Sequence, residues 1–499
     1  MEFRGIKLKR QATKAKDNGF FELKPCEYYS VPLLADDGDG SARAVNIGEK
    51  VKEGSLIAKP VGKYGSFVYS PISGKVVSVV KKLNASGNFC EHVVIARDLS
   101  EEKEYLPPLK EFESDKENLM KRLYESGMVD NFEPFDPSYK KYLSKKQAKT
   151  FIVNCCATSD PYAKSSDALL ENFLSDVFEG ARFLAQISGA LNIVFIFSAL
   201  QKKLAKKVLA YIKEKGLSKY VKVKVYPNIY PLTNSRMIAY YETGKMVKED
   251  EKTAEVGVVI DSVNNCYDFF HAVREGKPAI ERAVTVSGNN CVRKANYFIK
   301  NGTPMKHILE VVGIKSQDVS NMLVYGGILW GYSQESLDTS VTLTASTILF
   351  CDGDEFIAEE ENPCINCGKC LEVCPVKLHV KKLDQAFSDQ RFGEAKRLHV
   401  DCCIGCGACS FACPAKRNLA QRVKYMKDFV IGKRAKKPDS SEYVLVDGLD
   451  LRENSNYFDK ILEPQTKFEK VTQSEEQPEI NKMFDYLESQ TKEGGKKDE

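Results

Sequence analysis

The chain has 499 residues, 43% hydrophobic and 28% charged, an ordinary balance for a globular protein and enough length for three or four domains. Its formal net charge of +4 is too small to indicate a nucleic-acid binder, so no nucleic-acid partner is expected. No apolar run is long enough to cross a bilayer: the best, residues 190–200, holds Asn192 and Ser198 and reads as a buried strand.

Residues 1–105 read as all-β. Val45-Asn-Ile-Gly48-Glu-Lys-Val51-Lys-Glu-Gly54 has the spacing of a short strand and tight turn, and residues 66–80, with Pro71 and Gly74, read as strand, turn, strand. The first ten residues lack the apolar core of a signal peptide, so membrane attachment would come through partners or surface charge. This stretch resembles the barrel-sandwich hybrid of biotinyl and lipoyl carrier domains. Lys63 stands eight residues before Pro71, where such domains carry their modified lysine, but its neighbours Gly62 and Tyr64 are not those that modifying enzymes usually meet. A carrier or scaffold protein using Lys63 is therefore one alternative function.

After a polar connector at 106–118, residues 119–290 alternate strand and helix. Strands are predicted at 151–156, 192–198, 221–226 and 256–260. Helices are predicted at 166–188, at 201–215, and from about Asp261-Ser262 onward. That alternation implies an α/β layer of mainly parallel strands. Residues 291–350 turn β-rich, with Gly326-Gly327 between apolar runs and a strand at 341–350. Residues 351–430 hold most of the chemistry, and 438–499 form a polar tail read as largely disordered, with one short helix near 480–487.

The chemistry is in the cysteines. Of 16 in the chain, eight fall in two copies of C-x2-C-x2-C-x3-C-P. The first is Cys364, Cys367, Cys370 and Cys374 before Pro375. The second, 39 residues on, is Cys403, Cys406, Cys409 and Cys413 before Pro414. This is the ligand run of a protein with two 4Fe–4S clusters, in which the fourth cysteine of each copy reaches the other cluster. The expected metal ligands are therefore Cys364, Cys367, Cys370 and Cys413 for one cluster, and Cys403, Cys406, Cys409 and Cys374 for the other. Gly368, Gly405 and Gly407 would let amide N–H groups turn toward sulfide. A structural zinc site needs only four ligands and leaves the third cysteine and the proline unexplained. Disulfides would be strained at such spacings. Cys402 is out of register with the motif, and the remaining cysteines are scattered as buried free thiols of a reducing compartment. Between Val376 and Lys437 there are 15 Lys or Arg against 5 Asp or Glu. That excess suits either an acidic electron carrier or anionic lipid, or simply offsets cluster charge.

The order of these parts, with Ile280-Glu281-Arg282-Ala-Val-Thr285-Val-Ser-Gly288, Gly302-Thr303-Pro304 and Val324-Tyr-Gly326-Gly327-Ile-Leu-Trp-Gly331, resembles the C subunit of the Rnf electron-transport complex over roughly residues 1–430. The resemblance implies a multidomain α/β protein: a barrel-sandwich hybrid (1–105), an α/β domain similar to the complex I flavoprotein (119–290), a β-grasp domain (291–350) and a helical two-cluster ferredoxin domain (351–430). It implies an electron-transfer subunit coupled to sodium or proton translocation. The subunit would be peripheral on the cytoplasmic face of the cell membrane, beside a ferredoxin-like subunit and integral membrane subunits, with NADH, a soluble ferredoxin or a flavoprotein as donor. It also implies FMN and NADH in the α/β domain, and there the sequence departs. The family's Gly-x-Gly-Gly-x-Gly-Phe-Pro, matched from Ser126-Gly127-Met128-Val129, has Phe132, Glu133 and Phe135 at its last three glycines and Asp136 at its phenylalanine, keeping only Pro137 and Lys141. Glu-Cys-Glu-Pro becomes Thr158-Ser159-Asp160-Pro161, and Tyr-Pro-x-Gly-Gly-Glu becomes Tyr230-Pro231-Leu232-Thr233-Asn234-Ser235. Phe side chains would fill the space and Glu133 would repel phosphate. The expectation is that the chain's own NADH dehydrogenase site is lost and that no catalytic residue remains there. An FMN-dependent NADH dehydrogenase with a remodelled pocket is the alternative.

Overall fold

The computed structural model describes residues 4–430 apart from 9–18, 34–39, 62–64, 111–113, 131–136, 145, 157–159, 233, 248–250, 316–321, 330, 335 and 353–359. Lys63, Phe132, Glu133, Phe135, Asp136, Thr158, Ser159, Thr233 and the tail 438–499 lie outside the described residues.

Between Tyr28 and Arg97 two sheets face each other. One has the order Tyr28–Pro32, Phe89–Arg97, Gly74–Leu83, Lys50–Val51, the other Ser41–Arg43, Leu56–Pro60, Val68–Tyr69. Strand alternation sends Val31, Ile57, Val76, Val93 and Ile95 into the space between, all fully buried. This is the expected barrel-sandwich hybrid, but it does not hold the whole of 1–105. Ile6 bridges to Tyr230, and Phe20–Phe21 pairs parallel with Asn296 and Tyr297 in another sheet. Phe20 lies there because it stacks on Phe298, with ring centroids 4.3 Å apart, a long-range aromatic contact that local pattern does not encode.

The α/β domain is a four-stranded parallel sheet in the order Val221–Tyr226, Asn192–Ser198, Thr150–Asn154, Val258–Ser262. Alternate strand residues face opposite ways. Phe151, Val153, Phe195 and Phe197 meet the helices Lys116–Glu125, Leu174–Ser188 and Val263–Arg274, while Ile152, Val194, Ile196 and Ile260 meet Ser235–Thr243. Ser262 caps its helix by accepting from Asn265 N at 3.0 Å. Gly180 lets two helices touch backbone to backbone, since a Cβ there would lie 1.8 Å from Cys266 O. The single helix predicted over 166–188 is two, Ser165–Asn172 and Leu174–Ser188. Phe173 breaks it at φ −131°, ψ 40°, its ring held between Tyr267 and Phe298 at 5.3 and 6.1 Å.

The next sheet has the order Phe20–Phe21, Ala295–Lys300, Glu281–Ser287, Thr347–Cys351, Met322–Tyr325, Tyr332–Gln334. Its two central strands are parallel, and the helix Met305–Val312 packs Met305, Ile308 and Val312 on Val284, Val286 and Ile348, a β-grasp arrangement. The expected boundary at 290/291 moves, because Glu281–Ser287 pairs with Ala295–Lys300 in this sheet and with no strand of the α/β sheet. The strand predicted at 341–350 is only Thr347–Cys351. Ahead of it Thr342 and Thr344 turn inward: the Tyr325 hydroxyl and Thr342 Oγ1 share a hydrogen bond of 2.6 Å, as do Thr342 and Thr344 Oγ1. The Thr alternation thus serves a buried polar knot.

Asp160 joins these two domains. It is 4% exposed, and its carboxylate accepts from Tyr162 N at 2.8 Å and from Ile328 N at 3.2 Å. Gly327, at φ +98°, clears the space: a Cβ there would lie 1.6 Å from Asp160 Oδ2. Burial pushes the Asp160 carboxyl up to about 7, against the lowering pull of the Ile328 N–H. Below about pH 4 both folded and unfolded chains hold this proton. From about 4 to 7 only the folded chain holds it, so stability falls as pH rises through that window and levels off above it. Asp160→Asn cannot ionise and is expected to flatten the decline. Thermal melts at pH 5 and pH 8 check this: a gap in Tm as wide as in the parent protein would rule the carboxyl out as its source.

Candidate metal centre

The helical domain repeats its backbone at the 39-residue step. Asn366 and Gly405 have φ of 58° and 71°, Gly368 and Gly407 of 77° and 73°, Lys377 and Lys416 of 58° and 54°. Gly368 and Gly407 lie at the N-caps of matching short helices, Lys369–Glu372 and Ala408–Phe411. Left-handed backbone just after the first and second cysteine of each copy winds the chain around its own thiols, which is why glycine and asparagine stand there. The helices Val380–Ser388, Phe392–Arg397 and Leu419–Val430 close behind, burying Leu383, Ala386, Ala395, Leu419, Val423 and Met426 together with Cys374.

The eight thiols fall into two groups of four, each drawing its fourth member from the other repeat. Cys364, Cys367, Cys370 and Cys413 line one cavity with Lys381, Asp384 and Arg417. Burial pushes the Cys370 thiol up, and charge on Cys364, Cys413 and Cys367 pushes it further. In the second group burial raises Cys406, which also feels Cys403, Cys409 and Cys374. Burial raises Cys409 to about 12, with Cys403 and Cys374 adding to it. Backbone N–H groups already point at sulfur: Leu378 N lies 3.3 Å from Cys374 Sγ and Gly405 N 3.4 Å from Cys403 Sγ. Cys402, exposed and outside both groups, is no rival. Among the described residues no three His, Cys, Asp or Glu side chains converge as the ligands of a single ion do. Four thiols line the cavity of one group, and amides aim at sulfur in the other; eight thiols in two groups are the donor set of two polynuclear clusters rather than of a four-ligand zinc site.

The two groups differ in surroundings. Cys364 and Cys367 are exposed, whereas Cys406 is 8% exposed. Cys406 is sealed by Ile6, Tyr230 and Ala408, with Leu329, Val373 and Ile404 around them. The Tyr230 hydroxyl donates to Cys406 O at 2.6 Å. Beside the open group Asp384 accepts from Arg417 Nε at 2.8 Å and Nη2 at 3.1 Å, and from Arg422 Nη1 at 2.8 Å. The sequence pointed to neither Asp384 nor Arg417, and to Tyr230 only as the first residue of the altered Tyr-Pro loop. Arg417, three residues past Pro414, lay within reach of the motif; nothing local links Tyr230 to Cys406.

In the α/β domain the retained Lys141 is bound by Asp130 and lies 3.3 Å from Asp261. Burial would lower its pKa, but the Asp130 and Asp261 charges outweigh burial and hold it raised. The Tyr142 hydroxyl and Asn265 Nδ2 complete the shell around Asp261 at 2.6 and 2.7 Å. Lys141 is thus a cation matched by two buried carboxylates.

Three family models match successive parts of the chain: the RnfC barrel sandwich hybrid domain over residues 2–100, the Nuo51 FMN-binding domain over 125–271, and a 4Fe–4S dicluster domain over 363–418. Among solved structures the chain is similar to NAD+-reducing [NiFe]-hydrogenase in its H2-reduced state, at 12% identity and TM-score 0.45, covering 63% of this chain and 61% of that one. The air-oxidised state matches at 12% and 0.44, covering 62% and 63%. The chain thus spans about three-fifths of the hydrogenase chains it matches. Its fold and thiol groups are those of the iron–sulfur and complex I flavoprotein-like class. With the barrel-sandwich hybrid ahead of those parts, the three matches together fit an RnfC-like protein. Among the described residues no helix is long and apolar enough to cross a membrane.

Proposed function

We propose that this chain is the C-type subunit of an Rnf-type membrane redox complex, carrying electrons through two 4Fe–4S clusters between a soluble donor and partner subunits, coupled to ion translocation. The observation that carries this reading is the sorting of eight thiols into two crossed groups of four. Cys364, Cys367, Cys370 and Cys413 would hold one cluster and Cys403, Cys406, Cys409 and Cys374 the other, each supplying a one-electron carrier when bound. The protein contributes amide N–H groups to sulfur and the Arg417 charge beside Cys364, both of which favour the reduced form.

In this reading the α/β domain is a scaffold rather than an NADH dehydrogenase, because Lys141 is already neutralised. The donor is then a ferredoxin or a separate flavoprotein, and the chain sits on the membrane through a ferredoxin-like subunit and integral membrane subunits. The match to the Nuo51 FMN-binding domain favours the second reading, an FMN-dependent dehydrogenase. NADH added to the anaerobically reconstituted chain separates the two: the clusters should keep their visible absorbance and bleach only with dithionite or a reduced ferredoxin. Rapid bleaching by NADH would establish the second reading.

A further inference from the structure

The two thiol groups are not equally enclosed. Cys364 and Cys367 are exposed, whereas Cys406 and Cys374 are buried. Part of that enclosure comes from far away in sequence, from residues 4–8. Ile6 and Tyr230 exchange two backbone hydrogen bonds, of 2.9 and 2.8 Å, and Asn228 Nδ2 donates to Leu8 O at 3.1 Å. The Tyr230 hydroxyl in turn donates to Cys406 O. Ile6 is buried in one apolar cluster with Tyr230, Cys406 and Ala408, and Leu8 packs against it.

So close a fit requires glycine. Gly5 has φ +149°, and a Cβ there would lie 2.0 Å from Tyr230 O and 2.8 Å from Ile229 Cγ2. Arg4, just before it, hydrogen-bonds Tyr241 through its backbone, and its charge reaches Cys374. Burial pushes the Cys374 thiol up; the backbone N–H groups of Leu378, Val376 and Lys377 oppose burial, and the Arg4 charge adds to them. An apolar cover alone would account for Ile6 and Leu8. It does not account for a cation beside a buried thiol.

We infer that residues 4–8 are a strap that shields and tunes the cluster of the Cys406 group, with Gly5 setting its closeness, Ile6 excluding water and Arg4 placing charge beside Cys374. The inference rests on the reading of the thiol groups as cluster sites and adds how one of the two is set apart. A covered cluster gives up iron slowly, because a chelator must wait for local opening. A cation beside it favours the reduced form and so raises its potential. The strap thus makes two chemically alike ligand sets unequal in lability and in potential.

The test uses the full chain with both clusters reconstituted and reduced without oxygen. Iron release to bathophenanthroline disulfonate, a bulky chelator, is expected in a fast and a slow phase of similar size. Gly5→Ala should speed the slow phase about ten-fold and leave the fast one alone. Gly87→Ala is the control: Gly87 also has positive φ, at 80°, but nothing lies within 4 Å of an added Cβ. It is expected to change neither phase. In a reductive titration Arg4→Gln should lower the potential of one cluster only, and Arg4→Lys should keep the parent value. A slow phase unchanged by Gly5→Ala at full iron content would overturn the shield, and unchanged potentials in Arg4→Gln would overturn the tuning; both leave the proposed function standing. Equal acceleration by Gly87→Ala would overturn the strap as general destabilisation, and so would release of all the parent's iron in one phase. Parent protein that takes up no iron would overturn the reading beneath it.

Discussion

The double substitution Cys367→Ala/Cys413→Ala is expected to retain about half the iron, whereas Cys367→Ala/Cys374→Ala is expected to lose nearly all of it. Both pairs remove two of eight thiols, and by sequence proximity the second pair belongs to one motif. The fold assigns them otherwise. Cys413 lines the cavity of Cys364, Cys367 and Cys370, while Cys374 shares its charge environment with Cys406 and Cys409. The first pair thus damages one site twice, and roughly four of about eight irons should remain. The second pair damages each site once. Iron and labile sulfide per chain decide the matter, and the reverse order of losses would establish ligation within each motif.

Lys141→Met is expected to destabilise the α/β domain by about 3–5 kcal/mol, the cost of leaving buried charge without its partner. Asp130 and Asp261 are 1% and 0% exposed, and Lys141 is the cation that faces both. At that domain size the melting temperature should fall by roughly 6–20 °C. Adding Asp130→Asn and Asp261→Asn to Lys141→Met removes the stranded charge and should recover part of the loss. A Lys141→Met protein that melts as the parent does would show that the triad is not a stabilising core. It would also reopen the lysine to a phosphate ligand.

The contrast between these two sites shows what a sequence carries. The thiol groups were legible because thiolate chemistry fixes spacing, and the same spacing imposes positive φ at residues 366, 368, 405 and 407. The parallel strands were legible because 192–198 is a continuous apolar run and 221–226, at the sheet edge, alternates Val with Lys; both match the structure to the residue. What failed was long-range. Phe173 interrupts a helix to reach rings at Tyr267 and Phe298. Glu281–Ser287 crosses a domain boundary to pair with Ala295–Lys300. The Thr alternation at 342 and 344 mimics a strand while holding a buried tyrosine. Tyr230 and Cys406 are brought together across 176 positions, with nothing local to mark either as the other's partner.

Iron, acid-labile sulfide and flavin counted per chain of anaerobically purified protein, with its visible spectrum, bear most directly on the central claim. About eight irons and eight sulfides, a broad cluster absorbance and no flavin are the predicted result. A colourless protein holding zinc or no metal, or a full equivalent of flavin reduced by NADH, would contradict it.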